Sequence, residues 1–244
     1  MTGVQTCALP IWRIPLQNLT SNAYVYASKF ISDEAAQSGL MDNLEGRSLA
    51  DPVVAPFVNG RSRKVFHKNV VAVGGAAGFL EPLESTGLHL VQSGLSRLLA
   101  LWPTRECEAV IAREYNDVTA KEWDLARDFL VLHYQATSRT DSPLWRACKD
   151  IVVSTSLQAR LEHWIAFGRL ISPQAELFQP ASWLSVLVGQ GIAPKAYDPL
   201  ADARENQVDF QARLLGLERV IAETASQMPP HRDWIEKNAR GLRL

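Results

Sequence analysis

The chain has 244 residues, 47% of them hydrophobic and 21% charged, with 25 basic against 26 acidic groups. A core of ordinary size can form, which excludes disordered, collagenous and disulfide-scaffold classes, and a net charge of −1 offers no electrostatic footprint for nucleic acid. No apolar run approaches the roughly 20 residues that span a bilayer; Cys7, Cys107 and Cys148 form no CxxC pair. The expectation is a reduced, cytoplasmic protein with neither membrane nor nucleic-acid partners.

The opening MTGVQTCALPI lacks the basic n-region and the apolar length of a signal peptide. Reverse-translated from a GTG start, it fits a common sequencing-adapter oligonucleotide. Residues 1–11 are therefore expected to be non-native, and the polypeptide to continue upstream in its gene. From Trp12 the pattern is mixed. AYVYASKFIS (Ala23–Ser32) reads as a strand, Asp33 as a helix cap, and EAAQSGLMDNLEG as a helix with Ala36, Leu40 and Leu44 on one face and Gly46 as its stop. Asn59-Gly60, between two apolar stretches, is the strongest hairpin signal in the chain. A buried strand is expected at Val70–Val73, followed by a glycine-rich loop at Gly74, Gly75 and Gly78.

After Gly87 helices dominate. Apolar stripes recur at Leu88, Val91, Leu95, Leu98 and Leu99, then at Trp123, Phe129, Leu130 and Tyr134, then at Leu157, Leu161, Trp164 and Ile165, and last at Phe210, Leu214, Leu217 and Ile221. Each reads as core. The fold class is α+β: short strands and a hairpin, then a mainly helical C-terminal region.

No GxSxG elbow, Walker loop or HExxH is present, and no histidine pair has metal-ligand spacing; His133 and His163 read as ordinary helix residues. The basic run Arg61, Arg63, Lys64, His67 and Lys68 is either a solvated edge or a contact for an anionic partner. VAVGGAAGFLEPLESTGLHLVQSG (Val71–Gly94) is richer. A strand runs into small residues that allow close backbone approach, and an acidic stretch opens into a helix N-terminus able to hold an anion. Glu81 and Glu84 flank Pro82 in otherwise apolar surroundings. Two readings stand side by side: a partly desolvated base, or a cap in which Ser85 or Thr86 closes the helix and Glu84 favours its dipole.

GFLEPLESTG resembles the active-site signature of flavin-dependent tryptophan halogenases, and VAVGGAAG resembles the second flavin-binding motif of the hydroxybenzoate-hydroxylase-like monooxygenases, with Gly75 where that class has Asp. WRIP (Trp12–Pro15) matches the second half of a halogenase WxWxIP signature; YVYASKFISDEAA, RKVFHKNVVAVG, REYND and FLVLHYQATSRTDSPLW also look like the family. The resemblance implies a truncated FAD-monooxygenase-like fold, with 12–87 a remnant of the FAD- and halide-binding domain and 88–244 a helical substrate-binding region. It implies reduced FAD, which with oxygen forms a flavin hydroperoxide that oxidises chloride or bromide to hypohalous acid for attack on an indole. It implies Glu84 as the catalytic carboxylate, Thr86 and Gly87 at the halide, and flavin contacts from Gly74, Gly75, Ala76, Ala77, Gly87 and Leu88. The family's lysine and its GxGxxG loop would lie upstream. In ELFQPASWLSVLVGQGIAP, Phe178 and Trp183 fall where indole-stacking aromatics are usual, and the alternative that both are core stays open. The group that grips the amino-acid end of free tryptophan has no counterpart, leaving indoles, phenols and larger indole-bearing molecules as candidates. The implied partners are a separate flavin reductase and a small aromatic substrate; a homodimer stays open. The rivals are an aromatic hydroxylase and a catalytically dead helical fragment.

Overall fold

The computed structural model describes residues 8–16, 18–171, 176–202 and 209–238. They divide into two compact units, one holding Tyr24–Ala196 and the other Trp12–Ala23 with the chain from Tyr197 onward.

Strands β1 (Ala8–Pro15) and β2 (Thr20–Tyr26) pair as a two-stranded sheet. β2 ends earlier than the apolar pattern predicts, because the Phe30 N–H turns back to the Ala27 carbonyl at 2.9 Å and carries Phe30 against Tyr134 and Trp145. Helix α1 (Asp33–Met41) follows. Its cap is Ser32, whose hydroxyl accepts from the Ala35 N–H at 3.2 Å, whereas Asp33 is the first helical residue and accepts from the Tyr26 hydroxyl at 2.6 Å. The helix ends at Met41, short of Gly46.

The hairpin expected at Asn59-Gly60 does not form. Pro52 and Pro56 remove two backbone donors from the upstream run. Strand β3 (Gly60–Arg61) instead pairs with β6 (Gly78–Phe79), and the hairpin is the next pair along, β4 (Phe66–His67) with β5 (Val70–Val71), turning at a left-handed Lys68. The strand expected to be buried at Val70–Val73 is shorter and one-sided: Val70 is exposed and Val71 packs on the core. Between β5 and β6 the chain makes a 3-10 turn, Gly74–Ala76.

Gly78 is where β3 and β6 close on a helix. A Cβ there would lie 2.4 Å from the Gly60 carbonyl oxygen, 2.7 Å from the Arg61 Cα and 2.9 Å from the Trp123 ring. Two of the three obstacles are backbone, so Gly78→Ala is expected to destabilise by about 1–3 kcal/mol, read as a lower melting temperature.

Helices α2 (Thr86–Ala100), α3 (Ala109–Gln135), α4 (Pro143–Lys149), α5 (Thr155–Phe167) and α6 (Pro180–Gly189) complete this unit. The 27-residue α3 is its spine. Tyr115, Trp123, Ala126 and Leu130 step by helical turns and bury against Val65, Phe66, Ala77, Leu80 and Leu90. Phe129 and Leu132 point into a second cluster with residues of α5 and α6, and Tyr134 into a third with Leu144, Trp145 and Cys148 of α4. The REYND stretch has a structural job. The Tyr115 hydroxyl donates to the Gly94 carbonyl at 3.0 Å, locking α2 to α3. The Asn116 side chain accepts from the Val65 and Phe66 N–H groups at 2.8 and 2.9 Å and donates to the Phe66 carbonyl at 2.8 Å, pinning the β4–β5 hairpin to α3 as a neighbouring strand would. Helix α5 starts at the Ser154 cap and stops at Gly168, whose φ of 62° suits glycine.

In the second unit α7 (Phe210–Gln227) and α8 (His231–Asn238) have no buried side chain. The expectation that every apolar stripe is core fails here, since Phe210, Leu214, Leu217 and Ile221 are exposed along α7, and it fails in part on α2 of the first unit, where Leu88, Leu95 and Leu99 are exposed. No helix among the described residues is long and apolar enough to cross a membrane.

Candidate active site

The glycine-rich turn and the two glutamates lie on one short path, from β5 through the 3-10 turn and β6 to the start of α2. A Cβ on Gly75 or on Gly87 would meet nothing within 4 Å, so both backbones stand open to close approach. Gly74, at φ +61°, turns the chain here. Ala76 is exposed, and Ala77 is buried in the core beneath the turn.

Helix α2 opens without a side-chain cap. Ser85 holds the cap position but sits in the left-handed region, as does Glu84 before it, with φ of 54° and 60°. Two successive non-glycine residues in that region are costly, of order 1–3 kcal/mol each, and persist only where their surroundings hold them. The capping alternative fails on both candidates: Ser85 makes no cap bond, and Thr86 is fully buried with a hydroxyl oxygen that has no partner. The Thr86 hydroxyl is closed off from the surface, so what is open at the start of α2 is backbone: the first N–H groups of an uncapped helix have no acceptor within the helix and suit an anion. Leu88, the remaining residue expected near a flavin, is exposed.

The two glutamates separate cleanly. The Glu81 N–H donates to the Asn59 side-chain oxygen at 2.7 Å, and the Asn59 amide donates back to the Glu81 carboxylate. The Tyr134 hydroxyl also bonds Glu81; burial and the adjacent carboxylate push the phenol well above its ordinary range. Burial and the same carboxylate raise the Cys148 thiol. Glu81 is thus an anchor, its carboxylate already accepting from Asn59 and Tyr134. Glu84 is 46% exposed and has one ionic neighbour, the His133 Nε2 at 3.7 Å. Of the pair that the sequence leaves equivalent, only Glu84 is available to a substrate.

The structure also joins this carboxylate to the aromatic residues. The His133 ring stands edge-on to Phe129, one turn earlier on α3, with centroids 4.8 Å apart. Phe129 stacks on Phe178 at 3.8 Å and meets Trp183 edge-on at 4.9 Å. Phe178 is 8% exposed and Trp183 is 1% exposed, with its indole N–H donating to the Phe178 carbonyl at 3.1 Å. Beneath them Arg160 lies 4.0 Å over the Trp183 ring and pairs with Glu176 at 2.8 Å. Phe129, His133 and Tyr134, on adjacent turns of one helix, therefore address the aromatic cluster, Glu84 and Glu81 in turn.

Sequence reasoning missed His133, Asn59 and the Arg160–Glu176 pair. The Phe129–His133 spacing of one turn is the signal that could have raised His133. Of the basic run, Arg61 is spent on Asp124 at 3.2 Å, while Arg63, Lys64, His67 and Lys68 are exposed. Cys148 is a buried free thiol and Cys107 is half-buried; Cys7 lies outside the described residues.

The family model for tryptophan halogenase matches residues 10–206. The chain belongs to that family. A tryptophan 6-halogenase from Streptomyces toxytricini, SttH, is 32% identical over 211 residues, covering 83% of this chain and 40% of the relative. Among solved structures, the flavin-dependent halogenase BrvH from Brevundimonas sp. BAL3 is similar with a TM-score of 0.85 and 39% identity, covering 93% of this chain and 46% of that one. The flavin-dependent halogenase Xcc4156 from Xanthomonas campestris gives 0.87 and 38% with the same coverage. The α+β architecture is thus that of a halogenase in part: the chain spans under half the length of the curated relatives it matches.

Proposed function

We propose that this chain is the C-terminal part of an FADH2-dependent halogenase that chlorinates or brominates an indole-like aromatic, with Glu84 as the base. The observation that carries this reading is the turn itself: an available carboxylate held in a left-handed conformation directly before an uncapped helix whose buried Thr86 hydroxyl is unpaired. Residues present fit a flavin along the open backbone of Gly75 and Gly87 and beside the exposed Ala76 and Leu88, with Gly74 turning the chain against Val91 and Ala77 supporting the turn from the core, and a halide at the Thr86 and Gly87 N–H groups. Reduced flavin, if bound here and supplied by a separate reductase, would activate molecular oxygen, and that oxygen is the oxidant that would turn halide into an electrophile. Glu84 then takes the proton that the aromatic ring loses on substitution. The 12–87 segment serves the flavin and halide in this reading, and 88–244 the substrate.

The test is an assay with FAD, a flavin reductase, NADH, bromide or chloride and an indole, read by mass spectrometry. The chain joined to an N-terminal segment that carries the family's GxGxxG loop and lysine is expected to give halogenated product, and residues 1–244 alone to give none. Hydroxylated product from the joined protein would favour the hydroxylase rival.

Phe178 and Trp183 are proposed to back the substrate plane. Phe178→Ala in the joined protein is expected to weaken indole binding by roughly 1–2 kcal/mol while halide dependence stays unchanged. A variant that melts lower and still titrates indole normally would make Phe178 a core residue only.

A further inference from the structure

His133 has two contacts that together fix which of its nitrogens carries a proton. Its Nδ1 lies 2.8 Å from the Phe129 carbonyl oxygen, and a carbonyl can only accept, so Nδ1 bears hydrogen. In the neutral ring Nε2 is then a bare acceptor, and Nε2 is the atom that faces the Glu84 carboxylate at 3.7 Å. A lone pair facing a carboxylate is repulsive unless one proton lies between them, on the ring or on the acid. Several other charged groups on α3 and the helices around it have partners of their own. Asp128 is held by Arg127 and the Ser154 hydroxyl, and Arg160 by Glu176. On α2, His89 and Arg97 both meet Glu122. On α4, Arg146 donates to the Thr140 carbonyl and Lys149 is exposed.

We propose that His133 is the proton relay for Glu84, receiving at Nε2 the proton that Glu84 has taken and passing it to solvent. The step is balanced. With the two side chains closed from 3.7 Å to hydrogen-bond distance, the O–H bond of protonated Glu84 breaks, an N–H bond forms at Nε2, and the pair becomes carboxylate and imidazolium. The imidazolium then loses the same proton to water, and Nδ1–H stays on the Phe129 carbonyl throughout. A substrate seated over Glu84 removes water from its open side, and His133 is the acceptor that remains on the protein side. The proposal rests on the assignment of Glu84 as the base, and it makes His133 a residue that acts through Glu84 without touching the substrate.

Two measurements test it. In the 244-residue chain labelled with 15N-histidine, the signals that vanish in His133→Gln should show a neutral ring protonated at Nδ1; a neutral ring protonated at Nε2 would overturn the relay. In the joined protein, His133→Ala is expected to lower kcat by roughly tenfold, less than loss of the acid–base group itself, with KM for the indole unchanged and with partial recovery on adding imidazole. An unchanged kcat, or a loss that imidazole does not relieve, refutes the relay. Activity surviving in Glu84→Gln would instead remove the base assignment, so the two ideas fail separately.

Discussion

Glu84→Gln in the joined protein is expected to keep flavin binding and to lose halogenated product by about 10²-fold or more, the scale of a positioned acid–base group. Glutamine keeps the shape of the side chain and its reach toward His133 but cannot accept a proton, so the loss reports chemistry and leaves the fold intact. Glu81→Gln is the informative companion. Its carboxylate is held by Asn59 and Tyr134, so the change weakens an anchor: it should lower thermal stability and leave the reacting carboxylate in place. Equal activity in wild type and Glu84→Gln, measured as product per minute at saturating halide, would show that the base lies elsewhere.

Arg160→Ala carries the largest expected cost in stability, about 3–5 kcal/mol by urea unfolding. The side chains of Arg160 and Glu176 are 7% and 1% exposed, so truncating the arginine leaves a carboxylate without its guanidinium partner in a closed apolar setting. It also strips the cation from the face of Trp183. Arg160→Met combined with Glu176→Leu removes both charges and should recover most of the loss. If the double variant is as unstable as the single one, packing around Trp183 is what matters, and the ion pair contributes little.

Legibility in the sequence followed the range of the interactions. Helices α2, α3, α5 and α7 were visible because their apolar spacing is a local property, and the glycine turn with EPLEST was visible because its residue types are rare in that order. Asn59-Gly60 misled for a physical reason. The pair is a strong turn former on its own, but here the asparagine side chain is committed to Glu81 across the sheet edge, and the two prolines upstream remove the strand it would have turned from. For His133 the one-turn spacing from Phe129 is the only local signal; its partner Glu84 arrives from a distant loop, so the pairing itself is not legible in the sequence. For Phe178 and Trp183 the sequence supplies only aromatic character; that they stack with Phe129 and are nearly closed off depends on how α3 meets α6.

The placement of Phe129, His133 and Tyr134 on neighbouring turns of α3 bears on how this scaffold could be redesigned. A helix transmits a displacement to its adjoining turns with little loss, so a bulkier side chain forced in at Phe129 to reshape the arene pocket would tilt the imidazole and pull on the tyrosine in the same motion. Under the proposed function, breadth of substrate and speed of turnover would be mechanically coupled there. On α6 the coupling reaches Trp183, which meets Phe129 edge-on, and not the exposed Leu184 and Val188.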